Sequence, residues 1–179
     1  MEIKRPAIAS FVAAFALAAS CGDAAAAAPE SVETVSATSP ASVVAALAAQ
    51  GYEAALGQDG SGDPLVTARI GGWRTQIVFY DCNEVTHAGC QSLQFASSFH
   101  PERPFSAEKA VEFVNANRFG AVSVAPDKSV TVSWDVITGR GLDASVFAMV
   151  VRSYRMALDS IGSEVFAQAS HPQLASAAR

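Results

Sequence analysis

The side chains of this 179-residue chain that could do chemistry are a cysteine pair, three histidines and several serines near carboxylates. Cys82 and Cys90 flank a loop that contains His87, and this set could form a disulfide, a redox-active pair or, with His100, a metal site. Redox pairs and zinc sites usually show the short spacing Cys-x-x-Cys, which is absent here. In an oxidising compartment a remaining cysteine pair is most simply a disulfide. We therefore predict a Cys82–Cys90 disulfide and no metal site.

The strand pattern predicts where this disulfide lies. Cys82 has the same alternation as Arg74 and Tyr80, and Cys90 has that of Ser92. Both cysteines are therefore expected on the polar face of a hairpin, at its open end. Facing residues there lie about 5 Å apart, which a disulfide accepts.

Hydrolytic and cofactor-binding patterns are incomplete in this sequence. A hydrolase would need His100 and Asp81 beside a nucleophile, for which the candidates are Ser92, Ser97 and Ser98, but a Gly-x-Ser-x-Gly elbow is missing. Residues 59–63 lack the later glycine and glutamate of a calcium loop, and residues 139–144 are not followed by the parallel strand that a dinucleotide site requires. We predict no catalytic residue and no cofactor; an envelope hydrolase is the less favoured alternative.

The first 28 residues have the layout of a secretory signal peptide: Lys4 and Arg5, then an apolar run, then small residues. The apolar run is shorter than the roughly 20 residues of a transmembrane helix, and no later segment is long enough. We therefore predict an exported, periplasmic protein cleaved near Ala26 or Ala27. Cys21 follows small residues, so a lipoprotein anchored through Cys21 is the alternative.

Composition limits the class of the remaining chain. Half of the residues are hydrophobic and the net charge is −5, which argues against a disordered protein and against a nucleic-acid-binding protein. The length suits one domain. We predict a flexible linker over residues 29–38, a folded domain over 39–168 and a disordered tail over 169–179.

Hydrophobic periodicity predicts helices and strands in that domain. The helices are expected at 40–50, 106–118 and 143–167, and the strands at 52–56, 65–70, 73–82, 90–99, 122–124 and 130–136. Consecutive strands with one polar face indicate an α+β fold, an antiparallel meander sheet packed by helices, in the order α-β-β-β-β-α-β-β-α.

This pattern places two candidate binding regions and one apolar seam. The polar sheet face offers a partner surface formed by Arg69, Arg74, Gln76 and Gln94. A pocket between the sheet and the helices is expected around Trp73, Phe113 and Trp134. The last helix carries an apolar seam that favours core packing over a partner helix, formed by Phe147, Val151, Tyr154, Leu158, Ile161 and Val165.

With these residues assembled, the chain resembles the YbjN family, bacterial proteins described as sensory-transduction regulators, from about Ser39 to Val165. The most specific segment runs from Cys82 to Phe95, and further matching segments are Gly51–Ala54, Gly62–Leu65, Asn117–Gly120 and Trp134–Val136. The resemblance implies a fold similar to that of type III secretion chaperones, which pair as dimers and bind extended protein segments. It implies a binding role and no established enzymatic activity.

These observations predict an exported, non-enzymatic protein that binds a polypeptide partner, or itself, in a regulatory or chaperone-like role. An open strand edge or the polar sheet face would provide the contact. The alternative is a small-molecule sensor or carrier of the cell envelope that uses the predicted pocket.

Overall fold

A computed structural model describes residues 33–102, 104–117 and 120–167 of the chain. The predicted leader (1–28) with Cys21 and the predicted tail (169–179) lie outside the described residues. Three helices are present, namely α1 (Pro40–Ala49), α2 (Ala107–Ala116) and α3 (Ala144–Ala167). The strands are β1 (Thr34–Val35), β2 (Ala54–Gln58), β3 (Pro64–Ile70), β4 (Trp73–Tyr80), β5 (Ser92–Phe99), β6 (Ala121–Val124), β7 (Val130–Ile137) and β8 (Leu142–Asp143).

Six of these strands form one antiparallel sheet in the order β2-β3-β4-β5-β7-β6. The first four follow one another as a meander, and the β6–β7 hairpin then returns so that β7 pairs with β5 and β6 becomes an edge. The predicted α+β class and element order are confirmed. The short strands β1 and β8, which pair with each other, are additions that the sequence pattern did not indicate.

Strict alternation gives the sheet two different faces. Residues such as Ile77, Phe79 and Phe95 point into the core, while their neighbours along each strand point the other way. On the core side, α1 contacts β2 and β3, α2 contacts β6, and α3 contacts β5 and β7. We call the opposite surface the open face; its central residues are Thr67, Arg69, Arg74, Gln76, Gln94, Ala96, Ser98, Ser133 and Asp135.

The apolar seam of α3 packs into the core. All six of its residues, from Phe147 to Val165, are buried, as the prediction of core packing requires. In the part of the chain that the structure describes, no helix combines the length and the apolar character needed to cross a membrane.

The described part of the predicted linker, residues 33–38, is packed and not flexible. Val35 and Ala37 are fully buried, and strand β1 pairs with β8. The backbone N–H of Ala37 donates to the hydroxyl of Thr138 at 2.9 Å, and this hydroxyl donates to the carbonyl of Gln91 at 3.2 Å. The linker prediction is therefore wrong for these residues, because local polarity did not reveal partners about 100 positions away.

The serines that precede α1 and α2 differ in whether they cap their helix. Pro40 stands in the first turn of α1, but the Ser39 side chain makes no capping hydrogen bond. At α2 the Ser106 hydroxyl accepts from the backbone N–H of Lys109 at 3.3 Å. Glu108 lies in the same first turn, where its own backbone N–H and the Ser106 side chain lower the pKa of the Glu108 carboxyl.

Candidate functional site

The four residues of the predicted partner surface all lie on the open face, on three neighbouring strands. Arg69 is on β3, Arg74 and Gln76 are on β4, and Gln94 is on β5. They share this face because each alternates with the core-facing residues of its strand. Both arginines and Gln76 are exposed, and Gln94 is partly buried.

Arg69 and Arg74 stand directly opposite each other across the β3–β4 hairpin. Side chains in such positions are close neighbours, and two like charges there are unfavourable. The Arg69 guanidinium donates to the carbonyl of Gly72 at 3.0 Å. Within the described residues, the ion pairs are His87 with Asp63 and Arg155 with Asp159, so neither open-face arginine is paired with a carboxylate there.

The glutamines belong to a different part of the face. Gln94 donates to the Asp135 carboxylate at 2.8 Å and accepts from the Tyr80 hydroxyl at 3.4 Å. Gln76 lies between Thr67 and Ala96 in the register of the sheet. The open face is therefore positive at the β3–β4 turn and negative at Asp135.

Two depressions meet at Arg74. The larger, of about 390 Å³, lies over β2 and β3 and is lined by Glu53, Ala54, Ala55, Thr67, Ala68, Arg69 and Arg74. The smaller, of about 200 Å³, is lined by Arg74, Gln76, Ala96 and Ser98. Most of the residues that line the two depressions are small, namely the alanines, Thr67 and Ser98.

Cys82 and Cys90 form a disulfide with their Cα atoms 3.9 Å apart. Cys90 is fully buried, however, so its predicted position on the polar face is wrong. Cys90 precedes the first residue of β5, and strand alternation does not extend to it. Inside this loop, Nδ1 of His87 lies 2.8 Å from a carboxylate oxygen of Asp63 in the β2–β3 turn. The described residues hold no cluster of three or more histidine, cysteine or acidic side chains suited to a metal.

The residues of the predicted pocket pack against other side chains. The ring of Trp73 stacks on Phe166 at 5.8 Å and meets Phe99 edge-on at 5.1 Å. Trp134 contacts the Tyr154 ring at 6.5 Å, and Phe113 is buried. Aromatic side chains lie beside both tryptophans, and the three depressions described for this part of the chain are lined by other residues.

The residues considered for hydrolysis have different partners in the structure, and Ser98 shares a hydrogen bond of 2.8 Å with Thr131. Ser92 donates to Asp81 at 3.1 Å. His100 lies instead near Asp127, whose carboxyl pKa is lowered mainly by hydrogen bonds from Ser129 and further by His100. Ser97 is buried.

Ser97 belongs to a buried network that sequence reasoning missed. Its hydroxyl lies 2.9 Å from the Tyr154 hydroxyl and 3.0 Å from that of Thr75. Burial raises the pKa of Tyr154 above its ordinary value, although the bonds with Ser97 and Thr75 oppose this. The sequence does contain a hint of this network, because Thr75 on β4 and Ser97 on β5 fall in the same alternation as the core-facing residues of their strands.

An apolar groove of about 320 Å³ between α2 and the edge strand β6 was also missed. It is lined by Ala107, Ala110, Val111, Val114, Asn115, Val122 and Val124. Val111 and Val114 belong to the apolar residues of helix α2, but they are 59% and 40% exposed. The apolar surface of α2 is therefore wider than the part that packs on strand β6.

The comparisons with known proteins assign the chain to a family. No curated protein matches the chain. The family model of YbjN, described as "Putative bacterial sensory transduction regulator", matches residues 39–167, which is most of the chain and all of the six-stranded sheet. The chain therefore belongs to the YbjN family.

Proposed function

We propose that this protein is an exported, non-enzymatic regulator that binds a polypeptide partner through the open face. The observation that carries the proposal is the one-sided arrangement of the sheet. The helices of the described chain all contact its core side, and the other side presents a continuous polar surface. A solvated face is common for an antiparallel sheet, and here it leaves six strands uncovered, on which a polypeptide segment can lie.

The composition of the open face supports a polypeptide over a small ligand. Its depressions are lined mainly by short side chains, with charged and amide side chains at their edges, which an extended segment can approach closely. The predicted interior pocket offers less support, because Trp73 and Trp134 pack against aromatic neighbours.

Export is supported by the layout of the first 28 residues and by the Cys82–Cys90 pair, since disulfides persist in oxidising compartments. Cell fractionation with mass spectrometry of the purified N-terminus tests this part. A mature chain in the envelope fraction, beginning near Ala26 or at a lipidated Cys21, is expected. A full-length chain in the cytoplasm would contradict it.

Site-specific photo-crosslinking tests the partner. A photoreactive amino acid is introduced at Gln76 or Gln94 of the full chain, and at Arg152 on the outer side of α3 as the matched control. We expect a discrete protein adduct from the two open-face positions and none from Arg152. Equal labelling from all three positions, or no adduct from the open face, would refute the proposed function.

A further inference from the structure

The arginine pair of the open face suggests the chemistry of the partner. We infer that Arg69 and Arg74 bind an acidic polypeptide segment that crosses the open face from β2 towards β5. This inference rests on the proposed function and adds to it the class of partner.

The positive charge of Arg69 and Arg74 is only partly compensated. The two arginines face each other across one hairpin, and the ion pairs of the described residues lie elsewhere, at His87–Asp63 and Arg155–Asp159. Glu53 lines the same depression but forms no ion pair with either arginine. A cross-strand pair of like charges costs stability, so a bound anion would relieve the repulsion.

The surface around Arg69 and Arg74 can hold an extended segment. Arg74 lies between the two depressions, and Arg69 lines the larger one. Ala55, Thr67, Gln76 and Ala96 lie in one row across β2 to β5, and all of these side chains except that of Gln76 are short. Three strand spacings of about 4.8 Å are spanned by four or five extended residues, so a short segment reaches both arginines.

The guanidinium groups of Arg69 and Arg74 are suited to bind carboxylates. A guanidinium presents its N–H groups as a planar fork that matches a carboxylate. One bond from Arg69 goes to Gly72, which holds this side chain at the turn and leaves other donors available. Glu53 lines the same depression as both arginines and Asp135 lies at the far end of the face, so an acidic residue of the segment should bind on the Arg74 side, away from both carboxylates.

The experiment uses the purified protein and two synthetic peptides, Gly-Glu-Ala-Glu-Ala-Glu-Gly and the same sequence with glutamine for each glutamate. Binding is followed by amide chemical shifts at low salt. We expect saturable shifts at Thr67, Arg74, Gln76 and Ala96 with the glutamate peptide and none with the glutamine peptide. Raising the salt concentration should weaken binding, because exposed charges are screened.

The variant Arg69→Gln/Arg74→Gln should weaken binding of the glutamate peptide at least about tenfold. Arg140→Gln, which removes an exposed arginine from the β7–β8 turn, is the matched control and should leave binding unchanged. A cooperative melting transition at or slightly above the temperature of the unmodified protein shows that the double variant is folded. Equal binding of the two peptides, or equal loss in the control, overturns the inference.

Two further outcomes separate this inference from the proposed function. Preferential binding to phosphatidylglycerol vesicles over the glutamate peptide would overturn the acidic-segment inference. Crosslinks from Gln76 and Gln94 that persist in the double arginine variant would do the same but leave the proposed function standing. If the protein with both arginines intact gave no crosslinks from Gln76 or Gln94, the proposed function and the acidic-segment inference would both be overturned.

Discussion

Single residues in the core fix how α3 sits on the sheet. Tyr154, Thr75 and Ser97 join their hydroxyl groups where they are almost completely inaccessible to solvent. Buried hydroxyl groups without partners are costly, so each of the three depends on the others, although the Tyr154 hydroxyl also lies 3.4 Å from the carbonyl of Val132. This network accounts for two hydroxyl residues on sheet positions that are otherwise apolar.

Tyr154→Phe tests the network through its pH dependence. Below pH 10.0, the ordinary pKa of tyrosine, the variant should be about 1 kcal/mol less stable because one hydrogen bond is lost. Above that pH the unfolded tyrosine ionises, while burial keeps Tyr154 protonated in the folded protein. The stability of the unmodified protein should then fall by about 1.4 kcal/mol per pH unit relative to the variant. Urea unfolding at several alkaline pH values measures both effects.

Tyr80→Phe is the control for this experiment. Tyr80 is exposed and its hydroxyl makes one long hydrogen bond, to Gln94 at 3.4 Å. We expect little change in stability at any pH. If Tyr154→Phe behaved like Tyr80→Phe, the hydroxyl network would not contribute to stability.

Gly162→Ala tests the contact between α3 and Trp73. A Cβ at this position would lie 2.5 Å from Cζ2 of Trp73, whose indole N–H already donates to Asp159 at 3.1 Å. Alanine is the better helix former by about 1 kcal/mol, but the overlap should dominate and lower the free energy of unfolding by about 1–3 kcal/mol. Ser163→Ala, at an exposed position of the same helix, is the control. A more stable Gly162→Ala protein would show that the ring moves freely.

At the scale of elements, contacts between loops hold one end of the sheet together. The loop closed by Cys82 and Cys90 contacts the β2–β3 turn, where His87 meets Asp63 and its ring lies over Gly62. One covalent link therefore helps to position two turns at the same end of the sheet.

Removal of the disulfide by Cys82→Ala/Cys90→Ala should lower the free energy of unfolding by about 2.5 kcal/mol. The estimate follows from the entropy that a loop of this length restores to the unfolded chain. Urea unfolding of the variant and of the reduced unmodified protein measures it. Val85→Ser, an exposed change in the same loop, should have little effect. If the double variant and the reduced protein had the same free energy of unfolding as the oxidised protein, the disulfide would not stabilise the fold.

At the scale of the whole molecule, stability and binding compete on the open face. Arg74→Gln removes a charge opposite Arg69 and should raise the free energy of unfolding by a few tenths of a kcal/mol at low salt. The gain should shrink as salt increases, because the repulsion is screened. Thermal unfolding at two salt concentrations, with Arg140→Gln as the control, measures it. A destabilised Arg74→Gln protein would show that the arginine serves the fold.

Much of this fold was predictable because its strands alternate cleanly. The β6–β7 hairpin and the apolar seam of α3 carry their periods in the sequence, and the burial of each follows that period. The same alternation placed Arg69, Arg74, Gln76 and Gln94 on one face. It failed for Cys90, which precedes its strand, and for residues 33–38, whose partners lie far along the chain.

The sequence by itself determined the α+β class, the order of the main elements, the cysteine pair and which residues face outward, because these depend on local period and composition. Only the tertiary structure decided that β7 lies between β5 and β6, that the segment before α1 is packed, and that hydroxyl groups from α3, β4 and β5 meet in the core. It also placed the two open-face arginines opposite each other at the junction of two depressions. Such features depend on which distant surfaces pack together, and the periodicity of one segment carries no information about its partner.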